Sequence, residues 1–299
     1  MEILVTGHNG FLGKSIIKEL GSNYNLISLA RTSGDYKVSL EKEIPEFNQK
    51  FDLVIHVAGK AHSIPSTLIE EKEFFDVNVL GAHNLLQGLT KVGMPKEFVL
   101  ISSVSVYGQV SGNAINETHA LEAKDPYGLS KIESEILVSN WCEKNNVICT
   151  ILRLPLVVDK NPPGNLGAML RAINKGYYFN IGGGKARKSM VLAQDVASFI
   201  QKVAPVGGIY NLTDSFHPSF NELSKVISQN AGKRHPLNMS LTVAKFLAKS
   251  GDFLGNKAPI NSLKIKKMTS DLTFDDTKAR ELLGWNPQNV LKYLQKNSI

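Results

Sequence analysis

Val5-Thr6-Gly7-His8-Asn9-Gly10-Phe11-Leu12-Gly13 is the stretch whose reading decides the fold. It follows an apolar run, Ile3-Leu4-Val5, and it opens a helical pattern at Ile16, Ile17 and Leu20. A strand, a glycine-rich turn and a helix in that order are how dinucleotide-binding domains begin. Gly7 lets the chain leave the strand in a tight turn. Gly10 has no Cβ, so the backbone there can approach a pyrophosphate. Gly13 lets the new helix pack near the strand. The first turn of that helix offers free N–H groups and a partial positive charge to phosphates. A glycine-rich turn without a ligand is the plainer alternative; the position directly after a strand argues against it.

Outward from this turn the first half alternates strand and helix patterns. Strands are predicted at 25–30, 52–58, 98–103 and 147–153, and a later one at 208–212. Apolar runs of this length between helical stretches predict strands buried on both faces of a parallel sheet. Phe75, Val79, Ala82, Leu85, Leu86 and Leu89 predict one helix over 74–89. Asp125-Pro126 predicts a helix start, with Asp as cap and Pro at the first helical position. After Arg153 come Pro155, Pro162, Pro163 and Gly164, then a short helix over 166–175, the glycine loop 182–184, a helix over 195–202, and a mostly helical remainder. The expected fold class is α/β: a Rossmann-type doubly wound parallel sheet over residues 1–160. A smaller, mostly helical substrate lobe covers 161–299, with about 190–213 returning to the sheet.

The composition fits an enzyme of this kind. Of 299 residues 42% are hydrophobic and 20% charged, and no apolar run reaches the roughly 18 residues a membrane span needs. The chain starts directly on a strand, so no signal peptide is expected. Cys142 and Cys149 lack metal-ligand spacing; reduced thiols, a cytoplasmic location and no metal site are expected. The net charge of +7 raises nucleic-acid binding, but the lysines are scattered and their one cluster, Lys264, Lys266 and Lys267, has no interleaved aromatics. Neither a nucleic-acid nor a membrane partner is expected. The surplus suits a protein that binds diphosphate ligands.

Two further patterns carry chemistry. In Tyr127-Gly128-Leu129-Ser130-Lys131 the Tyr and Lys are four apart, on one helix face. A lysine charge there lowers a phenol that otherwise titrates near 10, making an acid/base usable near neutral pH. Ser102-Ser103-Val104-Ser105-Val106-Tyr107-Gly108 ends a predicted strand, where a hydroxyl faces the ligand crevice. A strand-end Ser bonding local backbone is the plainer reading of that residue taken alone.

Together these motifs resemble the extended short-chain dehydrogenase/reductase family, the NAD(P)-dependent nucleotide-sugar epimerases, dehydratases and reductases. The resemblance runs through Thr6–Gly13, His56-Val57-Ala58-Gly59, Val77-Asn78-Val79, Ser103–Gly108, Tyr127 with Lys131, and Glu281-Leu282-Leu283-Gly284-Trp285-Asn286-Pro287. It implies Ser103, Tyr127 and Lys131 as the catalytic set. Tyr127 would exchange a proton with a sugar hydroxyl that Ser103 also binds; Lys131 would lower the Tyr127 pKa and bond the nicotinamide ribose. Hydride would pass between the sugar carbon and the nicotinamide C4. Gly7, Asn9, Gly10, Phe11, Leu12, Gly13, Arg31, Ala58, Gly59 and Asn78, with Tyr127 and Lys131, would hold the cofactor. At the end of the second strand, Leu29-Ala30-Arg31-Thr32-Ser33 has no carboxylate for a ribose 2′-hydroxyl, while Arg31 and two hydroxyls suit a 2′-phosphate. NADP(H) is therefore favoured over NAD(H).

In 4,6-dehydratases two acidic residues follow the catalytic hydroxyl. Val104 and Ser105 stand there, which disfavours dehydration and leaves hydride chemistry at C4, as a 4-epimerase or a 4-keto reductase. The segments after Leu152 and around Arg187-Lys188-Ser189-Met190-Val191 look like the branch acting on UDP-N-acetyl sugars for surface polysaccharides. His62, Ser103, Asn165, Phe179, Arg187 and Lys188 are the candidate substrate contacts. The resemblance also implies a homodimer through 74–89 and 127–141. The rival reading is a non-catalytic NADP-binding sensor or assembly protein of the same fold.

Overall fold

The computed structural model describes residues 1–61, 63–252 and 260–297. Seven strands, β1 (Glu2–Thr6), β2 (Asn25–Ala30), β3 (Tyr36–Lys37), β4 (Leu53–His56), β5 (Glu97–Ser103), β6 (Ile148–Leu154) and β7 (Gly208–Asn211), form one sheet. Their order is β3-β2-β1-β4-β5-β6-β7, with every neighbouring pair parallel. This is the doubly wound order, and it reverses between β1 and β4, where Thr6 and His56 stand side by side. The helices in chain order are α1 (Phe11–Leu20), α2 (Leu68–Phe75), α3 (Gly81–Val92), α4 (Pro126–Lys144), α5 (Gly164–Asn174), α6 (Ala193–Val203), α7 (Phe220–Asn230), α8 (Leu241–Asp252), α9 (Ser262–Thr269), α10 (Thr277–Leu283) and α11 (Val290–Lys296).

The central strands are apolar because both their faces are covered. Ile3, Val5, Leu53, Ile55, Val99 and Leu152 pack under α1 and α6, while Leu4, Val54, Phe98, Leu100 and Ile151 pack under α3 and α4. α4 starts as its sequence predicts: the Asp125 carboxylate accepts the Gly128 N–H at 3.0 Å, with Pro126 in the first turn. The helix predicted over 74–89 is instead two helices, α2 and α3, joined by a π-helical turn at Asp76–Leu80. That turn brings Asn78 into the interior, a common use of π-type insertions near functional sites.

Outside the large sheet the chain holds strands that no periodic pattern announced. Three parallel two-stranded pairs join Leu156–Val158 to Met190–Leu192, Phe179–Ile181 to Leu237–Met239, and Gly112–Ile115 to Leu272–Phe274. Strands of three or four residues are too short to show alternation. The chain returns to the large sheet twice. α6 and β7 do so, and so do Ala279, Leu283 and Trp285, which share a core with Ile3, Val5 and Ile16. The Trp285 indole N–H donates to the Thr213 carbonyl at 3.0 Å. Asp195 accepts the backbone and side-chain amides of Gln288 at 2.8 and 2.9 Å. Cys142 and Cys149 are both free thiols.

Candidate active site

The turn after β1 is built as its glycines require. Gly7 has φ +67, and a Cβ there would lie 2.7 Å from the Ala58 nitrogen. At Gly13 a Cβ would lie 2.2 Å from the Gly7 carbonyl oxygen. Only glycine permits the strand, the turn and α1 to approach so closely. Gly10 is the N-cap of α1, and no side chain caps it, so the first-turn N–H groups of Phe11, Leu12 and Gly13 lack helical partners. Asn9 donates to the Ser33 hydroxyl at 3.2 Å. His8 Nε2 lies 3.4 Å from the same oxygen, while its Nδ1 is buried with no partner among the described residues. A tight cradle, uncapped N–H groups and an orphaned ring nitrogen fit the diphosphate and ribose of a dinucleotide.

Thr6 and His56 fix the other lip of the cradle. The Thr6 hydroxyl accepts the N–H groups of Val57 and Ala58, both at 3.2 Å. With its lone pairs so engaged, its proton goes to His56 Nδ1 at 2.7 Å. Burial, with the nearby Lys131 charge, pushes His56 down to about 3, so the ring is neutral. Asn78 closes the same loop: it accepts the Lys60 N–H at 2.7 Å and donates to the Lys60 carbonyl and the Ser130 hydroxyl. Its amide is thereby engaged by the protein, stitching the Gly59–Lys60 turn to α4. Gly59 sits against it, where a Cβ would lie 3.1 Å from Asn78 Oδ1.

Arg31 is exposed and lies 3.9 Å from Glu41. Asp35, a carboxylate the sequence reading passed over, accepts the backbone N–H and hydroxyl of Ser28, so it is held locally rather than presented to a ribose. Leu40 is buried, and its carbonyl accepts the Asn84 amide at 2.7 Å.

Ser103, Tyr127 and Lys131 converge at the carboxyl end of β5. Ser103 caps a 3₁₀ turn at Val104–Tyr107 and bonds Ser105 through backbone and side chain, both at 3.1 Å. Tyr127 packs 5.9 Å from the Phe74 ring and has Ser103 as a neighbour. The expected lowering of the phenol by Lys131 is corrected here. Burial holds Tyr127 above its ordinary value, the neighbouring Ser103 hydroxyl pulls it back, and Asp125 pushes it up. The Lys131 ammonium is buried and donates to the Ile101 carbonyl at 2.7 Å. Burial lowers it to about 8, with Glu135 pulling the other way.

Behind these groups lies a network the sequence reading missed. Glu135, one turn after Lys131, makes a buried fork with Arg153 of β6, the shortest contact 2.7 Å, and accepts the Ser102 hydroxyl. Arg153 also donates to the Tyr107 hydroxyl at 3.1 Å, and Tyr107 donates to Asn211 at 2.8 Å. The available signal was Arg153 itself, a charge within a predicted buried strand, which demands an anion.

The substrate candidates are scattered. Asn165 is exposed in the first turn of α5, and Phe179 is exposed at the start of its strand. Arg187 donates to the His217 carbonyl at 2.9 Å and lies 3.7 Å from Glu222. The Lys188 ammonium donates to the Ser270 carbonyl at 2.9 Å, and burial lowers it to about 8. Both cations are thus engaged inside the later half of the chain. His62 lies outside the described residues.

Nucleotide-sugar enzymes are among the known proteins that the chain is similar to. It is 25% identical to an N-acetyl-α-D-glucosaminyl-diphospho-ditrans,octacis-undecaprenol 4-epimerase of Escherichia coli O157:H7, over 92% of this chain and 88% of that one. It is 26% identical to the UDP-glucose 4-epimerase of Vibrio cholerae, over 97% and 92% respectively. The solved UDP-N-acetylglucosamine 4-epimerase from Bacillus cereus shares the fold, with a TM-score of 0.75 at 22% identity, covering 99% of this chain and 97% of that one. The sequence model of the NAD dependent epimerase/dehydratase family matches residues 3–212, and the chain belongs to that family.

Proposed function

We propose that the protein is a nucleotide-sugar enzyme acting by hydride transfer at C4 of a UDP-sugar of the N-acetylhexosamine type, as a 4-epimerase or a 4-keto reductase. The observation that carries this reading is that Ser103, Tyr127 and the buried Lys131 stand together at the carboxyl edge of the sheet, next to the glycine cradle. A non-catalytic binder of the same fold has no need of such a set. Two curated relatives that cover more than nine tenths of the chain are 4-epimerases, which supports C4 as the reacting carbon.

In this proposal Gly7, Asn9, Gly10, Phe11, Leu12 and Gly13 hold the diphosphate of a nicotinamide dinucleotide, and Ala58 and Gly59 flank it. When bound, that group supplies the hydride acceptor or donor. Tyr127 Oη takes or returns the proton of the sugar C4 oxygen, and Ser103 Oγ hydrogen-bonds the same oxygen. In the ligand-free protein the phenol is protonated at neutral pH, which suits donation to a keto oxygen. Lys131 holds a positive charge behind the phenol; closing the site over its ligands brings that charge to bear more strongly. Glu135 and Arg153 hold α4 against β6 so that Tyr127 and Lys131 meet β5 in register.

Three finer assignments belong to the same proposal. Elimination is disfavoured because Val104 and Ser105 supply no acid or base beside Ser103. NADP(H) is preferred because Arg31 is free to turn from Glu41, while Asp35 is held by Ser28. The exposed Leu80 and Ile136 on the α3 and α4 side support a homodimer through that face.

The test is incubation with UDP-N-acetylglucosamine, UDP-N-acetylgalactosamine or a UDP-4-keto sugar, with NAD(H) or NADP(H). Epimer is followed by chromatography and the cofactor by nicotinamide absorbance. Product with any of these supports C4 chemistry; release of water to a 4-keto-6-deoxy sugar, or no turnover while dinucleotide binds, contradicts it.

A further inference from the structure

α8 is turned inside out. A helix on a globular protein buries its large apolar residues and exposes its polar ones. α8 buries Ala244, Ala248 and Gly251, and exposes Val243, Phe246 and Leu247, with Phe246 73% accessible. The surface continues on both sides. Leu263 on α9 is exposed, as is Leu237 on the strand beside Phe179, with which it is in register. Leu241, at the start of α8, packs toward Gly182 and so links the helix to the glycine loop.

The same segments are rich in basic residues. Residues 231–252 and 260–270 contain seven Lys and Arg residues against one acid. That acid, Asp252, is engaged by the backbone N–H and hydroxyl of Ser262. Lys233, Arg234, Lys245, Lys249, Lys266 and Lys267 are exposed. Lys245 and Lys249 lie one turn apart on the flank next to Phe246. Much of the protein's net charge of +7 thus falls on the segment that also carries Phe246, the most exposed aromatic among the described large hydrophobics.

We propose that α8 and α9 form a docking surface for an anionic lipid bilayer. Val243, Phe246, Leu247 and Leu263 enter the headgroup boundary, and the surrounding lysines meet the lipid phosphates. Large apolar residues on one side of a short helix, with lysines beside them, are what a helix lying in a membrane interface requires. No helix among the described residues is long and apolar enough to cross a membrane, and a helix lying on the surface does not need to be. This revises the sequence-based expectation of no membrane partner. The surface is continuous with the Phe179 segment, so docking would bring a substrate candidate to the bilayer; that consequence rests on the proposed function, whereas the docking itself does not.

The test is co-sedimentation of the full-length protein with phosphatidylcholine vesicles, with and without about one-third phosphatidylglycerol. Binding is expected to the anionic vesicles, to weaken with salt, and to be small on neutral ones. Lys245→Gln with Lys249→Gln should weaken it roughly fivefold per lysine removed, and Phe246→Ser by about tenfold or more. Dinucleotide binding should be unchanged in all variants, which separates this test from that of the catalytic reading. The proposal is overturned by equal sedimentation with both vesicle types, by no sedimentation with either, or by variants that sediment like the parent. It is also overturned if light scattering shows a dimer that Phe246→Ser dissociates, because a second copy of the chain would then cover the surface.

Discussion

α4 and α8 break the same rule in opposite directions. α4 turns Ser130, Lys131, Ser134 and Glu135 into the protein, and leaves Ile136 exposed. α8 turns Ala244, Ala248 and Gly251 inward and leaves Phe246 outside. Burying polar groups is costly unless they are bonded, and exposing large apolar ones forgoes the gain of burial. On α4 most of the cost is met: Lys131 has the Ile101 carbonyl, Glu135 has Arg153, and Ser130 lies between Asn78 and the Tyr127 carbonyl. On α8 nothing among the described residues offsets it. The first helix is completed from inside the protein; the second, in our proposal, is completed by a bilayer. Departures from consistent patterning concentrate where function resides.

The contrast is broken most strongly at the buried fork. Arg153→Met or Glu135→Gln leaves a partner charge buried and should cost about 3–5 kcal/mol in denaturant unfolding, whereas the double replacement Glu135→Leu with Arg153→Met should cost much less. Asn78→Ala, which strands the Gly59–Lys60 turn and the Ser130 hydroxyl, should cost about 1–3 kcal/mol and weaken dinucleotide binding as well. Changes to the exposed face of α8 should barely register by the same measure: Phe246→Ser should stay within roughly 0.5 kcal/mol of the parent. An unfolding cost above 2 kcal/mol or so for Phe246→Ser would mean that its ring packs on the chain itself.

Lys131 sharpens the comparison through pH. Its folded value of about 8 lies below the ordinary 10.5, so between these limits the unfolded chain binds more protons and stability rises with pH. Below pH 8 both states carry the charge, and the full cost of burying it is present. The stability difference between the parent and Lys131→Met should therefore move in the parent's favour from pH 8 to 10. In kcat/KM, loss of this charge should appear as a fall in activity near pH 8 on the alkaline side.

The same contrast explains how much the sequence disclosed. The β1 turn, the long sheet strands and the Asp125-Pro126 start were legible because each depends on local signals: glycines where Cβ atoms collide, apolar runs buried on both faces, a cap followed by Pro. Tyr127 and Lys131 were legible through their spacing on one helix. The pairing of Glu135 with Arg153 was not, because it joins α4 to β6 through space and only the misplaced charge in the strand hinted at it. The short strands around Phe179 and Leu272 carry no period. In α8, Leu241, Ala244, Leu247 and Ala248 have ordinary helical spacing; only the folded chain reveals that Ala244 and Ala248 are the buried pair. Lys188 and Arg187 read as free cations for a diphosphate, and it took the Ser270 and His217 carbonyls to show them engaged.

The central claim concerns the half-buried phenol of Tyr127, one helical turn from Lys131 and beside Ser103. Turnover of a UDP-N-acetylhexosamine by Tyr127→Phe, measured alongside dinucleotide binding, tests it most directly. Removing the hydroxyl should lower kcat by roughly 10²–10⁴-fold and leave dinucleotide affinity within about a factor of a few. Turnover by Tyr127→Phe at the parent's rate would contradict it.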